Sequence, residues 1–282
     1  MRELSPESLV LETVRADTDP AIAGLGWLTL TRADRLNAMG ATMLRELVDA
    51  ARWFDQRLAT RVVIVRGEGR AFSAGADLRD PPSAAPSSDA GGADDDAWAA
   101  RREAGQRGLR MANAIEQMRA ITIAQVHDYA VGGGLVLVSA CDLRVCAEDA
   151  QLFIPEVELG IPLAWGGIPR LVREIGPALT KELVITCRRF APSEAKAIGF
   201  FNRVVPPERL EAETLDLARQ VSRMPAGPVV MTKDHVNAVT NAMAPSLTAF
   251  ADGEALAAAM ADPGGRAARE SYVAKALRRS KE

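Results

Sequence analysis

The sequence predicts an α/β fold in which strands are joined by helical crossovers, followed by an all-helical C-terminal region. Three observations carry this expectation. Runs of strand character alternate with runs of helix character, the pattern of crossover connections rather than of a sandwich. Two glycine clusters, Gly67-Glu-Gly-Arg-Ala-Phe-Ser-Ala-Gly-Ala-Asp-Leu78 and Val131-Gly-Gly-Gly-Leu135, stand at the junctions of apolar elements. After Val205-Pro-Pro207 the texture changes to consecutive helical segments with no strand candidate.

In chain order, strands are expected at 9–15, 26–31, 61–66, 121–126 and 143–147. The third, Arg61-Val-Val-Ile-Val-Arg66, shows the type best, a β-branched run that fits a pleated surface. Helices are expected at 42–58, 98–119, 135–140 and 167–175, and then at 208–223, 228–239, 244–260 and 265–279. The tail helices carry apolar residues at helical spacing, as in Leu210, Leu215, Leu217 and Val221, with no second sheet of their own to cover. The expected organisation is therefore a core over residues 1–205 and a helical region over 206–282. Residues 80–96 are rich in Pro, Ser, Gly and Asp and bury too little apolar surface to offset ordering entropy, so a mobile insertion is expected there. Its place after Arg79 leaves two readings open, a lid or a tolerated surface loop.

Composition excludes several function classes. A hydrophobic fraction of 48%, a charged fraction of 25% and a net charge of −3 are those of a globular protein whose main partner is neither nucleic acid nor an anionic membrane. The N-terminus has no apolar leader, and the longest nearly apolar run, 129–141, is short and interrupted by glycines, so a cytoplasmic location is expected. Cys141, Cys146 and Cys187 have no metal-site spacing and read as free thiols. His127 and His235 lie in no triad-like motif and read as structural. No metal or redox cofactor is implied.

The glycine clusters carry the chemistry. The second has neither the spacing of a dinucleotide fingerprint nor the Lys and Ser/Thr of a P-loop, and each cluster alone is equally well a packed turn. Taken together, they aim backbone N–H groups at one point, with Gly132, Gly133 and Gly134 opening a helix whose dipole favours an anion. Such an arrangement suits a carbonyl oxygen that becomes negative in a transition state.

With their flanks, these loops resemble the enoyl-CoA hydratase/isomerase (crotonase) superfamily. The resemblance rests on 66–78, on Ile123-Ala-Gln-Val-His-Asp-Tyr-Ala-Val-Gly-Gly-Gly through Asp142, on Phe153-Ile-Pro-Glu-Val-Glu-Leu-Gly-Ile-Pro162, and on Gly166-Gly-Ile-Pro-Arg-Leu171. It begins near Leu28-Thr-Leu-Thr-Arg-Ala-Asp-Arg-Leu-Asn-Ala-Met39 and runs past Val205. It implies the ClpP/crotonase spiral of ββα units, a C-terminal trimerisation region, a homotrimer or homohexamer, and an acyl-CoA substrate. By resemblance, the N–H groups of Ala76 and Gly133 form the oxyanion hole, and Ala74, Asp77 and Leu78 line the path of the coenzyme A arm. Arg79 falls where a lysine often faces the CoA phosphates, with Arg32 and Arg35 as further candidates. For each arginine the alternative is an exposed solubilising charge.

The resemblance also implies two carboxylate positions for hydration of an enoyl thioester. Glu156 fills the second, while the first, three residues after Gly133, is Val136, which moves no proton. A double-bond isomerase needs only one base. A single-base reaction is therefore expected, with double-bond isomerisation favoured. Two alternatives stay open: an enoyl-CoA hydratase of fatty-acid degradation that uses Glu158 or an ordered water, and a non-catalytic acyl-CoA binder. If 156–158 is extended, Glu158 lies on the same side as Glu156; otherwise it is a solvated or paired charge. Val136, Ala164 and Trp165 are assigned to the acyl pocket, which the indole narrows. Met39 and Phe72 are read as core and Asp128 as a turn residue.

Overall fold

The computed structural model describes residues 3–4, 7–80 and 94–279. A mixed sheet runs in the order β1 (Glu3–Leu4), β2 (Ser8–Val10), β3 (Val14–Thr18), β4 (Leu25–Leu30), β5 (Val62–Gly67), β6 (Ile121–Val126), β8 (Leu143–Ala147), β10 (Arg203–Val205). The first four strands pair antiparallel and β4 through β10 pair parallel, with Leu25 opposite Val62 and Ile123 opposite Leu143. The expected strand 9–15 is two strands. Leu11 N–H donates to Val14 O at 3.0 Å, and the carboxylate of Glu46 receives Glu12 N–H at 3.0 Å and Thr13 N–H at 2.8 Å. A partner 33 residues away thus satisfies the turn, and no local signal marks it.

A second, narrower layer repeats the order of the first. β7 (Tyr129–Val131) pairs with β9 (Gln151–Phe153), and single bridges add Met39 to Ala76, Ser73 to Ala130 and Leu152 to Phe190. β4, β5, β6 and β8 therefore each lead into a short extended piece of the second layer and then into a helix: α1 (Ala41–Asp55), α2 (Asp94–Glu116), α3 (Gly133–Ala140) and α4 (Gly167–Thr186). This is a spiral of ββα units. Asp128, between β6 and β7, adopts φ 50°, the left-handed turn conformation that Asp tolerates.

Both faces of β5 are buried over Val62–Val65, as its unbroken apolar run requires. Val63 and Val65 face the main core, which includes Met39, Phe72 and the helices, while Val62 and Ile64 face a smaller core with Leu210 and Ala218. The latter two belong to α6 (Leu210–Ser222), so the first tail helix covers the outer face of the sheet. α5 (Pro192–Ala197) precedes β10, and α7 (Ala226–Met243), α8 (Asp252–Ala261) and α9 (Pro263–Arg279) complete the chain. Among the described residues only helices and helical turns follow Val205, and no helix is long and apolar enough to cross a membrane. Of the insertion expected at 80–96, residues 81–93 lie outside the described residues, and 94–96 are a correction: they are the first turn of α2.

Candidate active site

The site forms where the two glycine-rich loops meet. In the bridge between Met39 and Ala76, Met39 N–H donates to Gly75 O at 2.7 Å and Asp77 N–H donates to Met39 O at 3.1 Å. These bonds use the neighbours' groups, so Ala76's own N–H faces the opposite side. Gly75 has φ +88°, and a Cβ there would lie 2.6 Å from Val131 O and 3.4 Å from Gly133 N. Only glycine lets the first loop press so closely on the start of α3.

α3 opens after Gly132, which has φ 49°. Its first internal bond runs from Val136 N–H to Gly132 O at 3.1 Å, so Gly133 N–H belongs to the unpaired donors of the first turn. Among the described residues neither Ala76 nor Gly133 donates a backbone hydrogen bond, and both line one cavity of about 170 Å³. Two free donors and the positive end of a helix dipole at one wall are the features that favour a developing negative charge.

Glu156 enters the same cavity from the segment after β9. A Cβ on Gly132 would collide with Glu156 Oε1, so the carboxyl packs flat on the loop that opens α3. Its Oε2 is buried without a hydrogen-bond partner. Burial pushes the carboxyl up from 4.5 to about 7, opposed only by a bond from its own backbone N–H. A carboxyl with one buried, unpartnered oxygen and a pKa raised to about 7 has the property that proton transfer asks of a general base.

Glu158 does not join it. Leu159 N–H bonds to Pro155 O and Ile161 N–H to Glu156 O, both at 2.9 Å, so the backbone turns helically here. Two residues along a helical turn point to nearly opposite sides. Glu158 is exposed, and its N–H donates to Cys187 Sγ at 3.3 Å. Val136 is buried in the cavity wall, so the position three residues after Gly133 presents a methyl surface.

The arginines divide. Arg32 donates to Ala38 O at 2.7 Å and to Asp77 Oδ2 at 2.9 Å, so its guanidinium clamps one loop onto the other rather than standing as an exposed charge. Asp77 also accepts Arg79 N–H at 2.9 Å. Burial opposes the charge of Asp77, but the bonds from Arg79 N–H and Arg32 hold its carboxyl below the usual range. The side chain of Arg79 is exposed and, among the described residues, has no ion pair, as a phosphate contact requires. Arg35 is exposed beside Asp34 at 3.7 Å. Leu78 is exposed at the cavity edge, whereas Ala74 stands outside the cavity, its N–H bonded to Leu36 O at 2.9 Å.

The apolar wall of the cavity combines Val136, Leu163, Ala164 and Trp165 with Leu256, Met260 and Val273 of α8 and α9. The last three escaped sequence reasoning, because nothing local marks a tail residue that returns to the core. Trp165 has φ 62°, a conformation that costs a bulky residue on the order of 1–3 kcal/mol and persists only where the surroundings impose it. Here they do. The fully buried Arg170 donates to Gly166 O at 3.1 Å, Asn113 Oδ1 at 2.8 Å and Glu116 Oε2 at 2.5 Å, and Asp252 Oδ2 accepts Gly166 N–H at 2.8 Å. Among the described residues no group of three His, Cys, Asp or Glu side chains is arranged to hold a metal.

Comparison with known proteins agrees with this geometry. The family model described as enoyl-CoA hydratase/isomerase matches residues 21–260. The peroxisomal Delta(3,5)-Delta(2,4)-dienoyl-CoA isomerase of Arabidopsis thaliana is 35% identical over 69% of this chain and 69% of its own. The crotonyl-CoA hydratase of Syntrophomonas wolfei is 33% identical over 70% and 72%. An enoyl-CoA hydratase/isomerase from Xanthobacter autotrophicus superposes with a TM-score of 0.79 at 27% identity, over 95% of this chain and 94% of that one.

Proposed function

The chain belongs to the enoyl-CoA hydratase/isomerase family, and on that premise we propose that it shifts the double bond of an enoyl-CoA thioester with Glu156 as its acid/base. The observation that carries this reading is the one carboxyl in the cavity that, among the described residues, keeps an unpartnered oxygen. Glu156 has a buried, unpartnered oxygen, while Asp77, the other carboxylate of the wall, is held by Arg32. Val136 gives no second group to activate water.

In the proposed reaction, Glu156 removes a proton from C2 of a 3-enoyl thioester. The electron pair moves onto the thioester oxygen, where the N–H groups of Ala76 and Gly133 stabilise the enolate. The same carboxyl, now protonated, returns the proton to C4, and the double bond settles between C2 and C3. Atoms and charge balance without a metal or redox cofactor. Arg79 is proposed to meet the CoA phosphates. Exposed apolar side chains on α7, Val236, Val239 and Met243, support a homotrimer or homohexamer.

A hydratase is the second reading, favoured by the crotonyl-CoA hydratase among the relatives. Purified protein offered 3-enoyl-CoA and 2-enoyl-CoA separates the two. The isomerase reading expects the first to convert faster than the second gains water. Rapid hydration that is lost in both Glu156→Gln and Glu158→Gln would overturn it.

A further inference from the structure

Trp165 and Gly166 are consecutive left-handed residues, with φ 62° and 71°, and the resulting reversal turns the indole inward. The ring then lies in a slot between two glycines of different helices, Gly108 on α2 and Gly133 on α3. A Cβ at either position would collide with the ring. The indole therefore rests against the Cα of the same residue whose N–H faces the cavity.

An acyl group whose carbonyl oxygen accepts from Gly133 N–H meets that ring within a few atoms. The wall cannot simply swing away, because Arg170 and Asp252 hold Gly166 from both sides. Leu256 and Met260 close the cavity from the tail. The cavity volume, about 170 Å³, lies below the roughly 300–1,000 Å³ of pockets that hold drug-sized ligands.

We propose that Trp165 sets the substrate class, acting as a wall that restricts the site to short acyl-CoA thioesters. The inference rests on the acyl-CoA reading but not on which reaction follows, so its test uses saturated thioesters that cannot isomerise or hydrate. Butyryl-CoA and decanoyl-CoA are titrated into the full-length protein by calorimetry. The wild type is expected to bind decanoyl-CoA at least about tenfold more weakly, the scale on which a tight pocket rejects excess methylenes. Trp165→Ala should shrink that ratio about tenfold, and Trp165→Phe should shrink it less. The Phe variant carries the test if the Ala variant does not fold. Equal wild-type affinity for the two ligands, or a ratio unmoved by either substitution, would overturn the proposal. A protein that binds neither ligand would overturn the acyl-CoA reading with it.

Discussion

Glu156 combines a buried, unpartnered oxygen with a carboxyl raised to about 7, and both properties have measurable consequences. As the proposed base it must be ionised, so turnover should rise as pH climbs through about 7 and level off above it; a flat kcat profile from pH 5 to 8.5 would contradict the role. Stability should run the other way. The folded state binds a proton more tightly than the unfolded chain, so the cost of ionising Glu156 is absent below about 4.5 and fully present above about 7. At about 1.4 kcal/mol per pH unit the interval is worth up to roughly 3 kcal/mol. Glu156→Gln should therefore be more stable than wild type at pH 8 and similar at pH 5, while losing turnover at least about a hundredfold. Equal denaturation midpoints at pH 8 would show that the carboxylate bears no such cost. At this scale the site was legible where chemistry depends on backbone or on one acid. Ala76, Gly133 and Glu156 meet in one cavity as their motifs imply. The direction of Glu158 stayed open in the sequence because it depends on whether 156–158 is extended or turns helically, and the bond of Arg32 was illegible because its partner Asp77 lies 45 residues away.

The start of α3 ties the proposed oxyanion donor to the apolar cavity wall, and this changes how the donor must be tested. Proline at Gly133 deletes the N–H, but its ring atoms also collide with the indole of Trp165. Gly133→Ala adds the collision and keeps the donor. The ratio of kcat/KM between Gly133→Ala and Gly133→Pro should thus isolate the hydrogen bond, at about a hundred- to a thousandfold; equal activities would remove Gly133 from the oxyanion hole. A second element-scale test concerns the hairpin of β2 and β3. Glu46 on α1 accepts Glu12 N–H, Thr13 N–H and the Thr13 hydroxyl, so Glu46→Ala strands buried donors and should cost roughly 2–4 kcal/mol in chemical denaturation. A loss under about 0.5 kcal/mol would mean that the turn holds itself. The same hairpin shows why the sequence read as one strand: its turn is closed by a helix far along the chain rather than by glycine or proline. The long parallel strands were legible because burial on both faces leaves an unbroken β-branched run. The three-residue strands β7, β9 and β10 were not, since so short a piece has no period of its own and exists only through its neighbours.

At the scale of the whole molecule, the tail is part of the site as well as a cover for the sheet. α6 seals the outer face of β5 and β6, Asp252 at the start of α8 holds Gly166, and Leu256 and Met260 close the acyl cavity. Between these two packed stretches, α7 keeps Val236, Val239 and Met243 outward, at 54%, 48% and 78% exposure. Their spacing of three and four residues puts them on one helical stripe, and Leu247 and Phe250, 84% and 66% exposed, continue the apolar surface into the next turn. Single exposed apolar residues are ordinary, but a stripe of them on a helix that buries only Lys233 calls for another surface. A second and third copy of the same chain supply it symmetrically, which is the basis for expecting a trimer or hexamer. Because the stripe makes no contribution to the monomer's core, Val239→Glu combined with Met243→Glu should leave helix content and cooperative unfolding intact. It should also reduce the mass measured by light scattering to that of one chain. Wild-type protein that already scatters as a single chain at tens of micromolar concentration would show that the stripe is not an interface between copies.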